Sequence, residues 1–387
     1  MRSSILLQSL QGRMLARYSK RNCFTQTQLS KPANFAAQAQ FSDVIKMNAW
    51  QVHSYEEDLQ LSTARKPLLR FIDSILVKVE SASVNPIDLY MKDGYAKNAL
   101  NFLREDEMEL PLTLGRDFCG TIVRKGLTVD KKYKVGDRVY GFIPLYRQGS
   151  FAEYVVAEHG HFHHQPDHLR PEESASMIYA AMTAWSALFV TGGLTRGNTK
   201  DKRVLILGAS GGVGTMAIQL LKSQGVHVTG TCATDAVSLV RSLKADEVFD
   251  YTQQDCIQKI SENRYDIILD CAKFGVDKIP NEWKFEQYIT LNSPLILNTD
   301  KYGLVGGSLK SISTLLSENI IKIKDGKMVK WGFFLPCSKG FAFISRLVTC
   351  GLLRPVIHKK FSFEQLPDAL NEVKKGHLRG KVVVNTK

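Results

Sequence analysis

Between Arg203 and Leu221 the chain reads Arg-Val-Leu-Ile-Leu-Gly-Ala-Ser-Gly-Gly-Val-Gly-Thr-Met-Ala-Ile-Gln-Leu-Leu. An apolar strand enters a glycine turn, and a helix with apolar periodicity leaves it. Such a turn can hold a pyrophosphate: Gly208 and Gly211 allow the tight bend and close backbone approach, and Gly214 lets helix pack on strand. The free N–H groups of the helix start then face the phosphates. Ser210, Gly211, Gly212, Val213 and Gly214 are therefore the first cofactor-binding candidates. Three glycines alone would say little, but the strand before, the helix after and a further strand at Val226–Gly230 supply the context a dinucleotide site requires.

The next strand decides which dinucleotide. An NAD site carries an acid about 20 residues past the glycines to hold the ribose hydroxyls. Here the strand ends in Thr231-Cys232-Ala233-Thr234, so no acid stands at its tip and a 2′-phosphate is not repelled. That favours NADPH, with Ala233, Thr234, Arg241 and Tyr251 as neighbours. Asp235, one residue further on, is the counter-indication.

Other reactive side chains are weaker candidates. His159, His161, His163 and His164 alternate as strand neighbours do, which permits chelation on one face. No cysteine lies among them, and an exposed strand end explains them as well. Seven scattered cysteines, without a C-x-x-C pair, read as reduced structural thiols.

The surrounding elements fall into two textures. Short β-type runs punctuated by turns fill residues 47–170, including Met47–Val52, Ile75–Val79, Gly120–Val123, Arg138–Gly141 and Phe151–Val156. After Pro171 strands alternate with helices, which implies a parallel sheet. Its strands are expected at Arg203–Leu207, Val226–Gly230, Glu247–Phe249, Tyr265–Leu269 and Ser293–Leu297. Residues 326–387 return to β texture near Gly380–Val384. The fold class is α/β.

The formal charge of +13 would suit nucleic acid if it were spread evenly. Instead residues 1–46 hold seven cations against Asp43 alone, with abundant Ser and Gln. That is the composition of a mitochondrial transit peptide, so no nucleic-acid partner is expected. No uninterrupted apolar run approaches the ~18 residues of a membrane helix, and a soluble body is expected.

Three stretches together resemble the medium-chain dehydrogenase/reductase superfamily over residues 47–387: Ser83-Val-Asn-Pro-Ile-Asp88 with Gly94, Val135-Gly-Asp-Arg-Val139, and the glycine loop. The resemblance implies a β-rich GroES-like catalytic domain (47–170), an inserted doubly wound Rossmann domain for NADP (171–325) and a returning segment (326–387). Zinc-dependent members carry Cys near the position of Asn85 and Gly-His-Glu where this chain has Gly115-Arg116-Asp117. With those ligands and the cysteine-rich zinc lobe missing, no metal is expected and the chain looks like the zinc-free quinone oxidoreductase branch. Alcohol oxidation leans on a Lewis acid, whereas a quinone or conjugated enone accepts hydride readily. Hydride transfer from NADPH to such an acceptor is the expected reaction.

Within that branch Val44–Trp50, Leu114–Gly120, Trp331–Pro336, Arg354–Val356 and Gly376–Lys381 are similar to the mitochondrial reticulon-interacting protein family. This likeness implies a matrix reductase, or one associated with the outer membrane, linked to ubiquinone biosynthesis and respiratory-chain maintenance. It also implies reticulon and ubiquinone-pathway partners and a possible homodimer. Where many quinone reductases place Ser and Lys for the 2′-phosphate, this chain has Ala233 and Ala236. By resemblance, Asn85 borders the nicotinamide and could orient a carbonyl, though a turn residue before Pro86 is equally well explained. Tyr95 stands where related enoyl reductases place a proton donor, though a tyrosine can simply pack. Phe333 and Phe334 could wall the cleft, Cys119 could border the substrate pocket or simply pack, and His377-Leu378-Arg379 are expected at the cofactor. The alternatives are a cofactor-binding scaffold with little turnover and a 2-enoyl thioester reductase.

Overall fold

In the first half of the chain strands such as Tyr154–Glu158 bury alternate residues while Ser74–Val84 is buried almost throughout, and near-continuous apolar runs in the second half build strands buried on both faces. The computed structural model describes residues 45–69, 71–104, 108–195, 197–320 and 326–386, and of Phe102 the backbone alone. The presequence expected over 1–46 lies outside these residues except for its last two, and Lys46 already opens the first strand. Residues 45–387 form one compact unit.

Eight strands come first: β1 (Lys46–Val52), β2 (Gln60–Arg65), β3 (Ser74–Val84), β4 (Leu112–Thr113), β5 (Asp117–Lys125), β6 (Arg138–Phe142), β7 (Tyr154–Glu158) and β8 (Phe162–His164). The chain then enters β9 (Arg203–Leu207), β10 (His227–Cys232), β11 (Glu247–Asp250), β12 (Arg264–Asp270), β13 (Lys284–Thr290) and β14 (Met328–Trp331). It returns through β15 (Ile357–Ser362) and β16 (Lys381–Asn385).

The six middle strands form one parallel sheet in the order β11-β10-β9-β12-β13-β14. The order reverses between β9 and β12, so a crevice opens beyond their carboxyl ends, where ligands of doubly wound sheets bind. This is the GroES-like plus Rossmann architecture expected above. The sixth strand, β14, lies past the expected boundary at residue 325 and completes the sheet beside β13.

One strand assignment is corrected. Ser293–Leu297 was expected to be a strand, but β13 ends at Thr290 and Leu295 begins a long helix, Leu295–Ile320. A short apolar run has the same pattern in a buried strand and in a helix, so periodicity cannot separate them.

The other strands form a three-stranded sheet, β2-β1-β4, and a seven-stranded sheet, β15-β16-β3-β5-β6-β8 with β7 on β3. β16, late in the chain, pairs antiparallel with Ser81–Val84 of β3 and so ties the returning segment into the first domain. One apolar core joins the lobes: Tyr140 and Phe142 of the β-rich part pack in the same cluster as Val204, Ile218 and Ile344. The stretch Pro171–Thr191 has the length and apolarity of a membrane helix, at 21 residues and mean hydropathy 1.2, but 72% of its most apolar window is buried in that interior.

Candidate active site

The crevice is floored by the glycine turn. Gly208 leaves β9 at φ +79°, a left-handed conformation that costs glycine nothing. Gly211, extended at φ −75° and ψ 174°, caps the helix Gly212–Lys222. A Cβ on Gly214 would lie 2.3 Å from the Gly208 carbonyl oxygen, so the helix can lie this close to the turn only because Gly214 lacks a side chain. At Gly211 the space is open, the nearest atom to such a Cβ being the Gly208 oxygen at 3.5 Å. Free N–H groups, a helix start and open volume above Gly211 are what a pyrophosphate needs, and the residues fit a dinucleotide.

The returning segment closes one side of this cradle. Gly380, at φ +93°, bridges Gly211 in parallel register and donates its N–H to the Ser210 carbonyl at 2.9 Å. The preceding Leu378 and Arg379 are half-buried there, while His377 is exposed at φ +53°. Arg379 reaches the tip of β10, its guanidinium gripping the Asp235 carboxylate at 2.6 and 3.2 Å. That hydrogen bond and the guanidinium charge hold the Asp235 carboxyl below its usual range.

The tip of β10 is less neutral than its own residues imply. Asp250, at the end of β11, accepts a hydrogen bond from the Thr234 hydroxyl at 2.5 Å and another from Thr252 at 2.7 Å. Those hydroxyls keep its carboxyl down at about 2. Two carboxylates, Asp235 and Asp250, thus flank Ala233 and Thr234, one of them already neutralised by Arg379. Tyr251 is half-exposed, its N–H donating to the Cys232 carbonyl at 3.0 Å.

On the opposite wall stands a buried polar cluster. Asn85 is 2% exposed, and its Nδ2 donates to Asp117 Oδ2 at 2.9 Å and, weakly, to the Ser83 carbonyl at 3.4 Å. Its Oδ1 accepts from the Lys381 ammonium at 2.5 Å, and the same ammonium donates to the Val84 carbonyl at 2.9 Å. Asp117 also accepts from Ser83 Oγ at 2.5 Å and from the Tyr179 N–H at 2.6 Å. Burial pushes the Asp117 carboxyl up and the Lys381 amine down, while each partner's charge opposes that shift. Asp88, fully buried and accepting from the Asn85 and Gly115 N–H groups at 2.9 Å each, is pushed up to about 6 by burial. The Lys381 stem lies against the cradle, its Cδ 2.8 Å from where a Gly212 Cβ would stand.

Tyr95 is half-buried with its ring 5.6 Å from that of Tyr90, and burial raises its phenol to about 12, so it stays protonated. Tyr90 in turn meets the Lys273 ammonium of the loop after β12. Phe334 stacks flat on Tyr179 at 4.2 Å and edge-on to Phe142 at 5.3 Å, while Phe333 is half-buried. Cys119 is fully buried, its thiol donating to Gln165 at 3.3 Å and pushed up by burial, which leaves it an unreactive packed thiol. Three of the four histidines diverge: His161 packs on Phe142, His163 on Phe341, and His164 pairs with Asp137.

Two family models match the chain, the alcohol dehydrogenase GroES-like domain over residues 72–167 and the zinc-binding dehydrogenase over 243–384. A protein of Drosophila melanogaster, NAD(P)H oxidoreductase RTN4IP1, mitochondrial, is 44% identical over 357 residues, covering 88% of this chain and 86% of its own. The chain belongs to this family of mitochondrial NAD(P)H oxidoreductases. The Homo sapiens protein of the same name is 38% identical over 88% of this chain and 89% of its own. Among solved structures, the quinone oxidoreductase from Coxiella burnetii superposes with a TM-score of 0.70 at 23% identity, covering 89% of this chain and all of its own, and shows the shared fold.

The dehydrogenase names raise the question of zinc, and the side chains at the corresponding positions do not suit it. Arg116, where zinc-dependent relatives carry histidine, is a buried cation whose guanidinium donates to the carbonyls of Pro144, Arg147 and Thr113. A guanidinium has no lone pair to offer a metal. Asn85 and Asp117 are engaged with Lys381. Among the described residues no group of three His, Cys, Asp or Glu is placed to hold a metal ion.

Sequence reasoning missed Lys381, Asp117 and Asp250 as members of this site. Lys381 opens the run Lys-Val-Val-Val384, and a lysine leading directly into a buried strand is the available signal. In the sequence Asp117 reads only as a lost metal ligand.

Proposed function

We propose that the protein uses NADPH to reduce a quinone or conjugated enone in the mitochondrial matrix, in the service of ubiquinone biosynthesis and respiratory-chain maintenance. The observation that carries this reading is the Asn85–Asp117–Lys381 cluster, in which a lysine ammonium occupies the polar wall that alcohol-oxidising relatives furnish with metal ligands. Alcohol oxidation must remove a hydroxyl proton, and the Arg116 guanidinium and the Lys381-bound Asn85 do not offer the donor set that would hold a Lewis acid to assist it. A quinone or enone spreads the arriving charge over its own π system, so the protein need only bind, orient and exclude water.

When bound, NADPH supplies the hydride. The N–H groups of Gly212 and Val213 at the helix start would hold its phosphates, and Arg379, paired with Asp235 at the tip of β10, would offer a cation to the ribose end. Phe334 and Tyr179 supply an apolar wall, and the protonated Tyr95 phenol can return a proton to the reduced acceptor. Support for a quinone comes from a Triphysaria versicolor relative named quinone-oxidoreductase QR1, chloroplastic, 32% identical over 80% of this chain and 89% of its own. Reticulon binding is carried over from the name of a Caenorhabditis elegans relative, Reticulon-4-interacting protein 1, mitochondrial, and homodimerisation and ubiquinone-pathway partners are proposed with it.

The full chain incubated with NADPH and a panel of quinones, enones and enoyl thioesters tests the reading by oxidation of the reduced nicotinamide. Turnover with quinones or enones, unaffected by a metal chelator, is expected. Turnover with thioesters alone would make it an enoyl thioester reductase, and cofactor binding without turnover would make it a scaffold. For cofactor choice, Arg379→Ala is expected to raise the Kd for NADPH about ten-fold, ~1.4 kcal/mol, and leave NADH unchanged. Equal effects on both cofactors would remove Arg379 from 2′-phosphate recognition.

A further inference from the structure

The loop that leaves β12 carries a cation across the crevice. Its residues 271–275 sit directly over the cradle, because a Cβ on Gly208 would lie 3.1 Å from the Ala272 Cβ. Asp270, 1% exposed, pins this loop. Its carboxylate accepts from the N–H groups of Ala272 at 3.0 Å, Phe274 at 3.1 Å and Gly275 at 3.3 Å, and from the Tyr288 hydroxyl at 2.8 Å. So held, Lys273 takes the left-handed conformation at φ +56°, which a lysine rarely adopts. Backbone strain that the surroundings over-determine clusters at sites that clamp ligands.

From this loop the Lys273 ammonium reaches the facing wall. It donates to the Tyr90 hydroxyl and stands 5.1 Å from the centre of the Tyr90 ring. Tyr90 belongs to the helix Pro86–Lys92, which also supplies Asp88 to the buried polar cluster. Tyr95 packs beside it, the ring centres 5.6 Å apart. Exposure rises along this wall from Asn85 at 2%, through the half-buried Tyr95, to Tyr90 at 39%. The two rings therefore lead from the floor of the crevice to its mouth.

Among the described residues Lys273 has no carboxylate partner, and the neutral Tyr90 phenol offers its ammonium no opposite charge. Lys92, on the same helix as Tyr90, is by contrast shared between Asp58 at 3.5 Å and Asp93 at 3.8 Å. Asp300, whose charge acts on Tyr95, is occupied by the N–H groups of Ala96 at 2.6 Å and Asn98 at 3.2 Å. Two aromatic rings ending in an uncompensated ammonium suit a flat ring held deep in the crevice with an anionic substituent trailing to the mouth.

We propose that Lys273, with Tyr90 and Tyr95, selects acceptors whose ring bears a carboxylate or similar anionic substituent. This selectivity rests on quinone or enone reduction and narrows its substrate class. The test compares a benzoquinone carrying a short carboxyalkyl chain with its methyl ester, two acceptors of matched ring electrophilicity, using the full chain and NADPH. Wild type is expected to show the higher kcat/KM for the acid. Lys273→Gln is expected to cut the acid-to-ester ratio about five-fold, mainly through the KM of the acid, because the ion contact is the same before and during hydride transfer. Lys273→Arg should keep most of the preference, and Lys273→Glu should reverse it. The proposal is overturned if wild type and Lys273→Gln give the same ratio. It is also overturned if Lys273→Gln keeps the ratio and loses NADPH affinity, which gives the cation to the cofactor. Turnover of both acceptors without preference sinks the selectivity alone, whereas no turnover of any quinone or enone removes the reductase reading and the selectivity with it.

Discussion

The two walls of the crevice are made in opposite ways. The glycine cradle works by omission: Gly208, Gly211, Gly212 and Gly214 carry no side chain, and what they offer is backbone and space. The facing wall works by accumulation, with Ser83, Asn85, Asp88, Arg116, Asp117 and Lys381 all buried and bonded to one another or to the backbone. A wall made by omission is defined within a few residues of chain. A wall made by accumulation exists only once distant segments meet.

That contrast can be broken at several points. The largest expected effect is on the crowded wall, where Lys381→Met strands the Asp117 carboxylate without its cation. A loss of about 3–5 kcal/mol of folding stability is expected, readable by chemical denaturation. Adding Asp117→Asn, which removes the charge and keeps an acceptor oxygen on one side of the carboxyl position, should restore part of it. If the double variant is no more stable than the single one, the charges are not coupled.

On the glycine wall, Gly214→Ala forces a Cβ to 2.3 Å from the Gly208 oxygen and should cost about 2–3 kcal/mol together with cofactor binding. Gly211→Ala meets open space, so melting should barely change, by about 0.5 kcal/mol, while cofactor affinity falls because the methyl enters the phosphate volume. Equal losses of stability in the two variants would contradict the distinction between a packing glycine and a binding glycine.

The smallest effect is a difference in pH response. Burial lowers His161 and His163 to about 4, so between there and the ordinary value near 6.5 the unfolded chain takes up protons that the folded chain refuses. Their contribution to stability is present at neutral pH and is lost as the pH falls through that window. Asp88, raised to about 6, acts the other way, because the folded chain keeps a proton the unfolded chain releases. Stability measured at pH 7 and 4.5 should therefore fall less in His163→Phe, by about 1 kcal/mol after allowance for partial exposure, and more in Asp88→Asn. Parallel slopes in all three proteins would mean that neither group titrates on unfolding.

The same contrast explains what could be read from the chain before it folded. The glycine turn, its strand and its helix were legible because each requirement is met by neighbours. So were the alternation that announces the parallel sheet and the family likeness. Lys381 was not, because its partner Asn85 is 296 residues away and no local pattern records a contact of that separation. Asp250 escaped for a similar reason: it belongs to β11, and only the pairing of Cys232 with Asp250 brings it to the tip of β10. Ser293–Leu297 failed differently, since a five-residue apolar run carries too little periodicity to choose between strand and helix.

The bridge between Gly211 and Gly380 sets an order of events. The nucleotide sheet is finished at Trp331, yet the cradle gains its last side only when β16 docks on β3 and Gly380 meets Ser210. A chain emerging amino-terminus first can therefore fold its whole nucleotide-binding sheet and still lack a finished site. Premature termination between Trp331 and Gly380 would leave a sheet able to form and a cradle open along one flank, and so a protein that is made but cannot retain its cofactor.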